Sequence, residues 1–358
     1  MDNKSRYKIP LLVPSVPKIE VITEYLKRID ESKHYTNFGP LETELRTRLA
    51  QVWQVPVKNI VSACNATLAL QGAIETSVPN EHSWKVPSWT FIATALAIQK
   101  AGREFSFVDA NPQTWRPHFS DEDENILDVL PFGDDLDLDR IRKKPITNLV
   151  IDAAASFSAL FKPLPNSIHK YALVISLHAT KLLPAGEGAI MVTNCEDWAS
   201  RFRSWTNFGF SNQRRPSLLG TNAKLSEYAA AVALGSIDEF DNTKERLFQI
   251  QEVARSVSTS IGLQTHPAMR KGLVSPYWIL DFQTSSRKQS ALKSLTLDGI
   301  ESRNWWERGC HNEGLFGKTD SNLPITNSLA LTTLGIPMHL NLTETDLQVI
   351  QRSLDVKL

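Results

Sequence analysis

Between about residues 60 and 195, short apolar runs alternate with helix-like stretches. Asn59-Ile-Val-Ser-Ala63 reads as a strand, and Thr67 to Glu75 as the helix after it. Trp84-Lys-Val-Pro87 is a brief extended piece that precedes a helix from Phe91 to Lys100. Glu104-Phe-Ser-Phe-Val-Asp109 alternates as a half-buried strand does, whereas Asn148-Leu-Val-Ile-Asp152 is a continuous apolar run. Leu173-Val-Ile175 halts at Ser176, and Ala189-Ile-Met-Val192 follows a glycine-rich turn. This alternation predicts an α/β domain with a mostly parallel sheet. Asp109, Asp152 and Ser176 close three of the runs. Ligands gather outside the carboxyl ends of strands in open α/β sheets, so these three are candidate site residues.

Further on the pattern changes. Ala223 to Phe240 is strongly helical and alanine-rich, which suits close packing against the core or another subunit. A charged amphipathic helix is expected from Thr243 to Ile261. A strand-like Tyr277-Trp-Ile-Leu-Asp-Phe282 follows, and Thr343 or Thr345 opens a terminal helix. These signals divide the chain into a large domain, 1–240, and a smaller α+β domain, 241–358, with the N-terminal segment packing beside the small domain.

The 358 residues suffice for both domains and a substantial core. Lys+Arg and Asp+Glu both total 39. This balance points away from nucleic acid or an anionic membrane as main partner, so any anion site must be local. No run approaches the roughly 20 apolar residues of a membrane span, and Met1-Asp-Asn-Lys-Ser5 lacks a signal-like segment. Cys64, Cys195 and Cys310 are scattered without ligand spacing and read as reduced thiols of a cytoplasmic protein. The eight histidines form no ligand pair, so no metal is expected.

Lys181 carries the sharpest chemical signal. It sits just beyond the apolar run that ends at Ser176, before Gly186-Glu-Gly188. A lysine at the mouth of a buried strand is disposed towards the neutral amine, which can form a Schiff base with an aldehyde. A surface lysine is the ordinary alternative. Asp152 can pair with an arginine or cap a helix; equally, it can hold a heterocyclic nitrogen in its protonated form. Ser62-Ala-Cys-Asn65-Ala66-Thr67 joins a strand to a helix with small residues, which suits an anion at the helix N-terminus. Ser176 supplies another hydroxyl. Pro87-Ser-Trp89-Thr-Phe91 places aromatics where one can stack on a planar ring or simply enter the core.

Taken in order, these pieces resemble the DegT/DnrJ/EryC1/StrS family. They are Asn37-Phe-Gly-Pro…Glu42, Asn65-Ala-Thr-Leu-Ala-Leu70, Pro87-Ser-Trp-Thr-Phe-Ile-Ala-Thr94, Phe107-Val-Asp109, Val150-Ile-Asp-Ala-Ala154, Ser176-Leu-His-Ala-Thr-Lys181, Gly186-Glu-Gly188 and Gly220-Thr-Asn-Ala-Lys-Leu-Ser-Glu227. The resemblance covers about residues 10 to 355. It implies a three-layer PLP-dependent transferase fold and a sugar aminotransferase using pyridoxal 5'-phosphate. It also implies a homodimer with shared active sites.

Residue by residue, the resemblance makes Lys181 the Schiff-base nucleophile and proton carrier, and gives Asp152 the pyridinium nitrogen. Phe91 stacks on the ring, and Ala66, Thr67 and Ser176 bind the phosphate. Asn222 reaches the phosphate in the neighbouring subunit, and Asn207 and Gly209 fall in a conformationally special loop. Asn37, Trp89, His178, Arg303, Trp305 and His311 are candidates for substrate binding. The basic, aromatic run Arg303-Asn-Trp-Trp-Glu-Arg-Gly-Cys-His311 suits a diphosphate, sugar or base, or else an aromatic corner of the small domain. Ala155 departs from the family, which commonly has His or Gln there near the cofactor's phenolic oxygen; Ser156 and Asn207 are possible substitutes. The implied reaction moves an amino group from glutamate to a nucleotide-linked keto-sugar, favouring a 4-keto-6-deoxyhexose, for surface glycan synthesis. Amination at C3, a PLP-binding regulator without turnover, and a dehydratase are the alternatives. Dehydratase relatives carry His at the lysine position, so Lys181 argues against the last.

Overall fold

The computed structural model describes residues 7–79, 82–211, 215–316 and 322–355. Met1-Asp-Asn-Lys-Ser5 lies outside them. The strands are β1 (Ile60–Ala63), β2 (Trp84–Pro87), β3 (Phe105–Val108), β4 (Asn125–Val129), β5 (Asn148–Asp152), β6 (Tyr171–Ser176), β7 (Ala189–Thr193), β8 (Gln264–Thr265), β9 (Trp278–Asp281) and β10 (Thr333–Ile336). The helices are α1 (Ile19–Ser32), α2 (Pro40–Trp53), α3 (Ala66–Glu75), α4 (Ile92–Lys100), α5 (Phe157–Leu160), α6 (Glu196–Trp205), α7 (Glu227–Asp238), α8 (Phe240–Ser260), α9 (Pro267–Arg270), α10 (Ser285–Leu297), α11 (Pro324–Thr332) and α12 (Glu344–Leu354).

A seven-stranded sheet has the order β1-β7-β6-β5-β4-β2-β3. Pairing is parallel from β3 through β6, and β7 runs antiparallel to both β6 and β1. The chain is therefore an α/β protein with a mostly parallel central sheet, as the apolar runs predict. Their continuity has a plain cause. Successive side chains point to opposite faces, and here both faces are covered. Leu149, Ile151, Leu173, Ile175, Ile190 and Val192 enter one core with Leu41, Leu45 and Trp53 of α2, Leu234 of α7 and Ile250 of α8. Val150, Ala172, Val174, Ala189 and Met191 enter a second core with Leu70 of α3, Ile98 of α4 and Phe202 of α6. The result is three layers. Each large side chain so buried contributes about 1.5–3 kcal/mol.

β8, β9 and β10 form a small antiparallel sheet in the order β10-β9-β8. The N-terminal segment runs beside it: Ile9 bridges Ile300, Leu11 N–H donates to Glu301 Oε2 (2.9 Å), and Met338 N–H donates to the Leu11 carbonyl (3.2 Å). A third cluster, including Trp89, Trp115, Phe132, Tyr277 and Leu329, joins the two regions.

The sequence reading misses β4, whose Asn125-Ile-Leu-Asp-Val129 carries a buried aspartate inside the apolar run. Asp128 is tolerated there because Arg140 pairs with it. The terminal helix begins as expected: Thr343 caps α12 in a capping box with Asp346. Asp109, by contrast, is no ligand site. Its carboxylate accepts from the amides of Ile325 (2.9 Å) and Thr326 (2.7 Å) and from the Thr326 hydroxyl (2.7 Å), tying β3 to the start of α11. Asp109→Ala should lower the unfolding free energy by about 1–3 kcal/mol in urea titration while leaving cofactor affinity unchanged.

Candidate active site

Because β1, β2, β5 and β6 run in the same direction, the segments leaving their carboxyl ends meet on one edge of the sheet. A cavity of about 680 Å³ opens there. Asn65, Ala66 and Thr67 line it from the start of α3, Thr90 and Phe91 from the segment after β2, and Asp152 from the end of β5. Ser176 lines it from the end of β6, and His178, Thr180 and Lys181 from the connection that follows. Such a volume holds a cofactor together with a small substrate.

The connection that carries Lys181 is tightly held. The amides of Leu177 and Ala179 donate to the carbonyls of Gly188 and Gly186, each at 2.9 Å, and Lys181 N–H donates to the His178 carbonyl (2.8 Å). Gly186 takes φ +81°, a left-handed conformation that a side chain would strain. Lys181 itself is half-buried, and its Nζ donates to the Tyr277 hydroxyl at 2.8 Å.

Asp152 is buried, with Oδ2 accepting from the Thr94 hydroxyl (2.7 Å) and Oδ1 from the Ala154 amide (3.0 Å). Burial raises its pKa; the two hydrogen bonds and the charge of Lys181 pull the other way without cancelling it. A carboxylate in this setting needs a cation facing it, and a protonated ring nitrogen answers that need. At the other end, Asn65 caps α3 by accepting from Leu68 N–H (2.9 Å), which leaves the amides of Ala66 and Thr67 for an anion. Ser176 stands at the same end, where its Oγ accepts the His178 amide (3.2 Å). Phe91 is 57% exposed, an apolar ring face offered to the cavity. Basic amine, buried acid, flat ring and anion cradle together fit pyridoxal phosphate.

The substrate candidates divide. His178, Arg303 and Trp305 line the cavity, with the Arg303 guanidinium 5.0 Å from the Trp305 ring centre. Trp89 does not. It is buried edge-on to Trp115 and Trp306, so here the core reading wins. His311 is also buried away from the cavity, its Nδ1 2.6 Å from the Ser88 hydroxyl. The run from Arg303 thus splits between cavity wall and aromatic corner. Asn37 is exposed outside the cavity, with φ +64°.

Asn222 likewise lies on the surface, where it and Asn207 each accept from Lys224 Nζ (2.7 and 3.0 Å). In the same loop Gly209 takes φ +77°, and a Cβ there would collide with the Leu218 carbonyl. Ala155 does line the cavity, but Ser156 turns away towards the Leu130 carbonyl, and Asn207 is engaged by Lys224. Neither replaces the missing side chain. Thr94 and Tyr277, which touch Asp152 and Lys181, are the residues that the sequence reading missed.

The sequence matches the DegT/DnrJ/EryC1/StrS aminotransferase family over residues 18–355, and the chain belongs to that family. It is a PLP-dependent aminotransferase. Similar proteins include Protein Rv3402c of Mycobacterium tuberculosis, 26% identical over 93% of this chain and 86% of the relative. The dTDP-4-amino-4,6-dideoxy-D-glucose transaminase of Escherichia coli is 24% identical over 94% of this chain and 95% of its own length. Among solved structures, that of DesI in the presence of its TDP-sugar product superposes with a TM-score of 0.85 at 28% identity, covering 98% of this chain and 93% of that one.

The raised pKa of Asp152 has a consequence for stability. A protonated Asp152 favours the fold, so its contribution is complete below about pH 4 and is lost as pH rises through the elevated folded value. Cofactor-free Asp152→Asn should therefore outlast the cofactor-free wild type in urea at neutral pH. The difference should vanish at acid pH, while the variant retains pyridoxal phosphate more weakly.

Proposed function

We propose that the enzyme transfers an amino group from glutamate to a nucleotide-linked 4-keto-6-deoxyhexose, with the product entering surface glycan synthesis. The observation that carries this reading is the single cavity in which Lys181 and Asp152 share walls with Arg303 and Trp305. Arg303 suits a diphosphate, and Trp305 suits the flat face of a base or the apolar face of a sugar. Leu12, Leu130 and Phe132 add apolar surface to the same cavity, which suits a methyl better than a hydroxymethyl or carboxylate at the sugar's sixth carbon. The E. coli relative and the solved structure with a TDP-sugar product support the same substrate class.

When bound, pyridoxal phosphate supplies an electron sink for the carbon that loses its proton. Lys181 binds the aldehyde through Nζ and then carries a proton at that atom. Asp152 keeps the ring nitrogen protonated, Phe91 covers the ring face, and Ala66, Thr67 and Ser176 hold the phosphate. The working form is a cytoplasmic homodimer in which Asn222 of each copy reaches the other copy's phosphate.

Mixing the holoenzyme with glutamate should convert its absorbance to that of the pyridoxamine form. Lys181→Ala should show no conversion. Failure of the wild type with every amino donor tried would sink the reading. Arg303→Ala should raise KM for the nucleotide sugar about tenfold or more, with the glutamate half-reaction unchanged.

A further inference from the structure

Tyr277 comes from the segment leading into β9, far along the chain from Lys181, yet its hydroxyl is 2.8 Å from Nζ. Among the described residues, this hydroxyl is the hydrogen-bond partner of the Lys181 amine. The phenol is held from several sides. Its ring stands edge-on to Phe132 (5.7 Å between centres) and Trp305 (5.6 Å). Its N–H donates to Ser275 Oγ (3.2 Å), whose own hydroxyl donates to the Phe132 carbonyl (2.6 Å). Its carbonyl accepts from Nε2 of the fully buried His266 (2.8 Å). Burial pushes the His266 pKa down to about 4, so this imidazole stays neutral and its clamp is unaltered around neutral pH. These contacts hold the ring so that its hydroxyl is presented to Lys181 Nζ.

We propose that Tyr277 is a catalytic residue whose hydroxyl holds the free Lys181 amine in place for proton transfer. The inference rests on the reading of Lys181 as the Schiff-base lysine. With pyridoxal phosphate bound and the lysine released from its aldehyde, Nζ would take a proton from the carbon bearing the donor's amino group and hold it as an ammonium. It would then give that proton up at the carbon that had been the aldehyde's, on the other side of the nitrogen, and be an amine again. Tyr277 keeps its own proton throughout. Its oxygen accepts from the ammonium, and its O–H turns to donate to the amine. A hydroxyl serves both states, which neither a carboxylate nor an ammonium does. The other charged or titratable groups lining the cavity with Lys181 are Asp152 from β5, His178 and Glu187 from the β6–β7 connection, and Arg303 from near β10. His339 lines a small neighbouring pocket behind Lys181. None of them is hydrogen-bonded to Nζ.

Tyr277→Phe removes the hydroxyl and keeps the ring between Phe132 and Trp305. Two readings test it. In cofactor-free protein at one fixed pH, the Lys181 peptide should react with a small amine-directed reagent several-fold faster than in wild type, because the hydrogen bond that holds Nζ is gone. In the holoenzyme, kcat for the glutamate half-reaction should fall about tenfold with KM little changed. The isotope effect with α-deuterated glutamate should rise as proton transfer becomes rate-limiting. Equal labelling rates and an unchanged isotope effect overturn the proposal. If Tyr277→Phe does not fold, Tyr277→Met gives the same two readings. Absence of any cofactor band in wild type would instead overturn the underlying reading of Lys181, which separates the two failures.

Discussion

Two-sided burial of the central sheet is the constraint on which the molecule turns. β5 and β6 have helices over both faces, so nothing polar is tolerated along their length without a partner. Chemistry is therefore displaced to the strand ends, where the backbone leaves the sheet and side chains meet a shared cavity. Asp152 is the last residue of β5 and Ser176 the last of β6. Lys181 follows within a connection pinned by backbone hydrogen bonds to the turn before β7. The site is thus built on the ends of buried strands and on a connection held by backbone hydrogen bonds.

That burial has an electrostatic cost, borne at Asp152. Burial favours its protonated form, and Thr94 and the Ala154 amide offset only part of the effect. In a protein evolved for stability alone, a carboxylate there would be a poor choice. A bound cationic ring nitrogen turns the same burial to advantage, because an ion pair is stronger away from water. Tyr277 applies a related logic from the small sheet: the hydroxyl reaches across to the large sheet's lysine, so the reacting amine is positioned by both regions of the chain.

Much of this was legible in the sequence, for local reasons. The β5 and β6 runs and the helix after Asn65 announce themselves over a few contiguous residues. The small residues at Asn65-Ala-Thr67 and the glycines around Glu187 mark close backbone turns in the same way. The run from Arg303 to His311 was ambiguous because spacing alone does not say which rings turn inward. In the structure Trp305 faces the cavity, while His311 turns to Ser88. β4 was missed because Asp128 interrupts its apolar text, and the arginine that neutralises it lies outside the strand.

The sequence by itself determined the α/β class, the strand ends that bear Asp152 and Ser176, the lysine and the family. These depend on short-range periodicity, caps and turn residues, and on motifs held in order along the chain. Only the tertiary structure decided which partners those groups have. Thr94 meets Asp152 across 58 positions, Tyr277 meets Lys181 across 96, and Asp109 leaves the site to cap a helix 217 positions on. Such contacts arise from how layers pack, and packing depends on the shapes of all the buried side chains together. No local stretch of sequence encodes it.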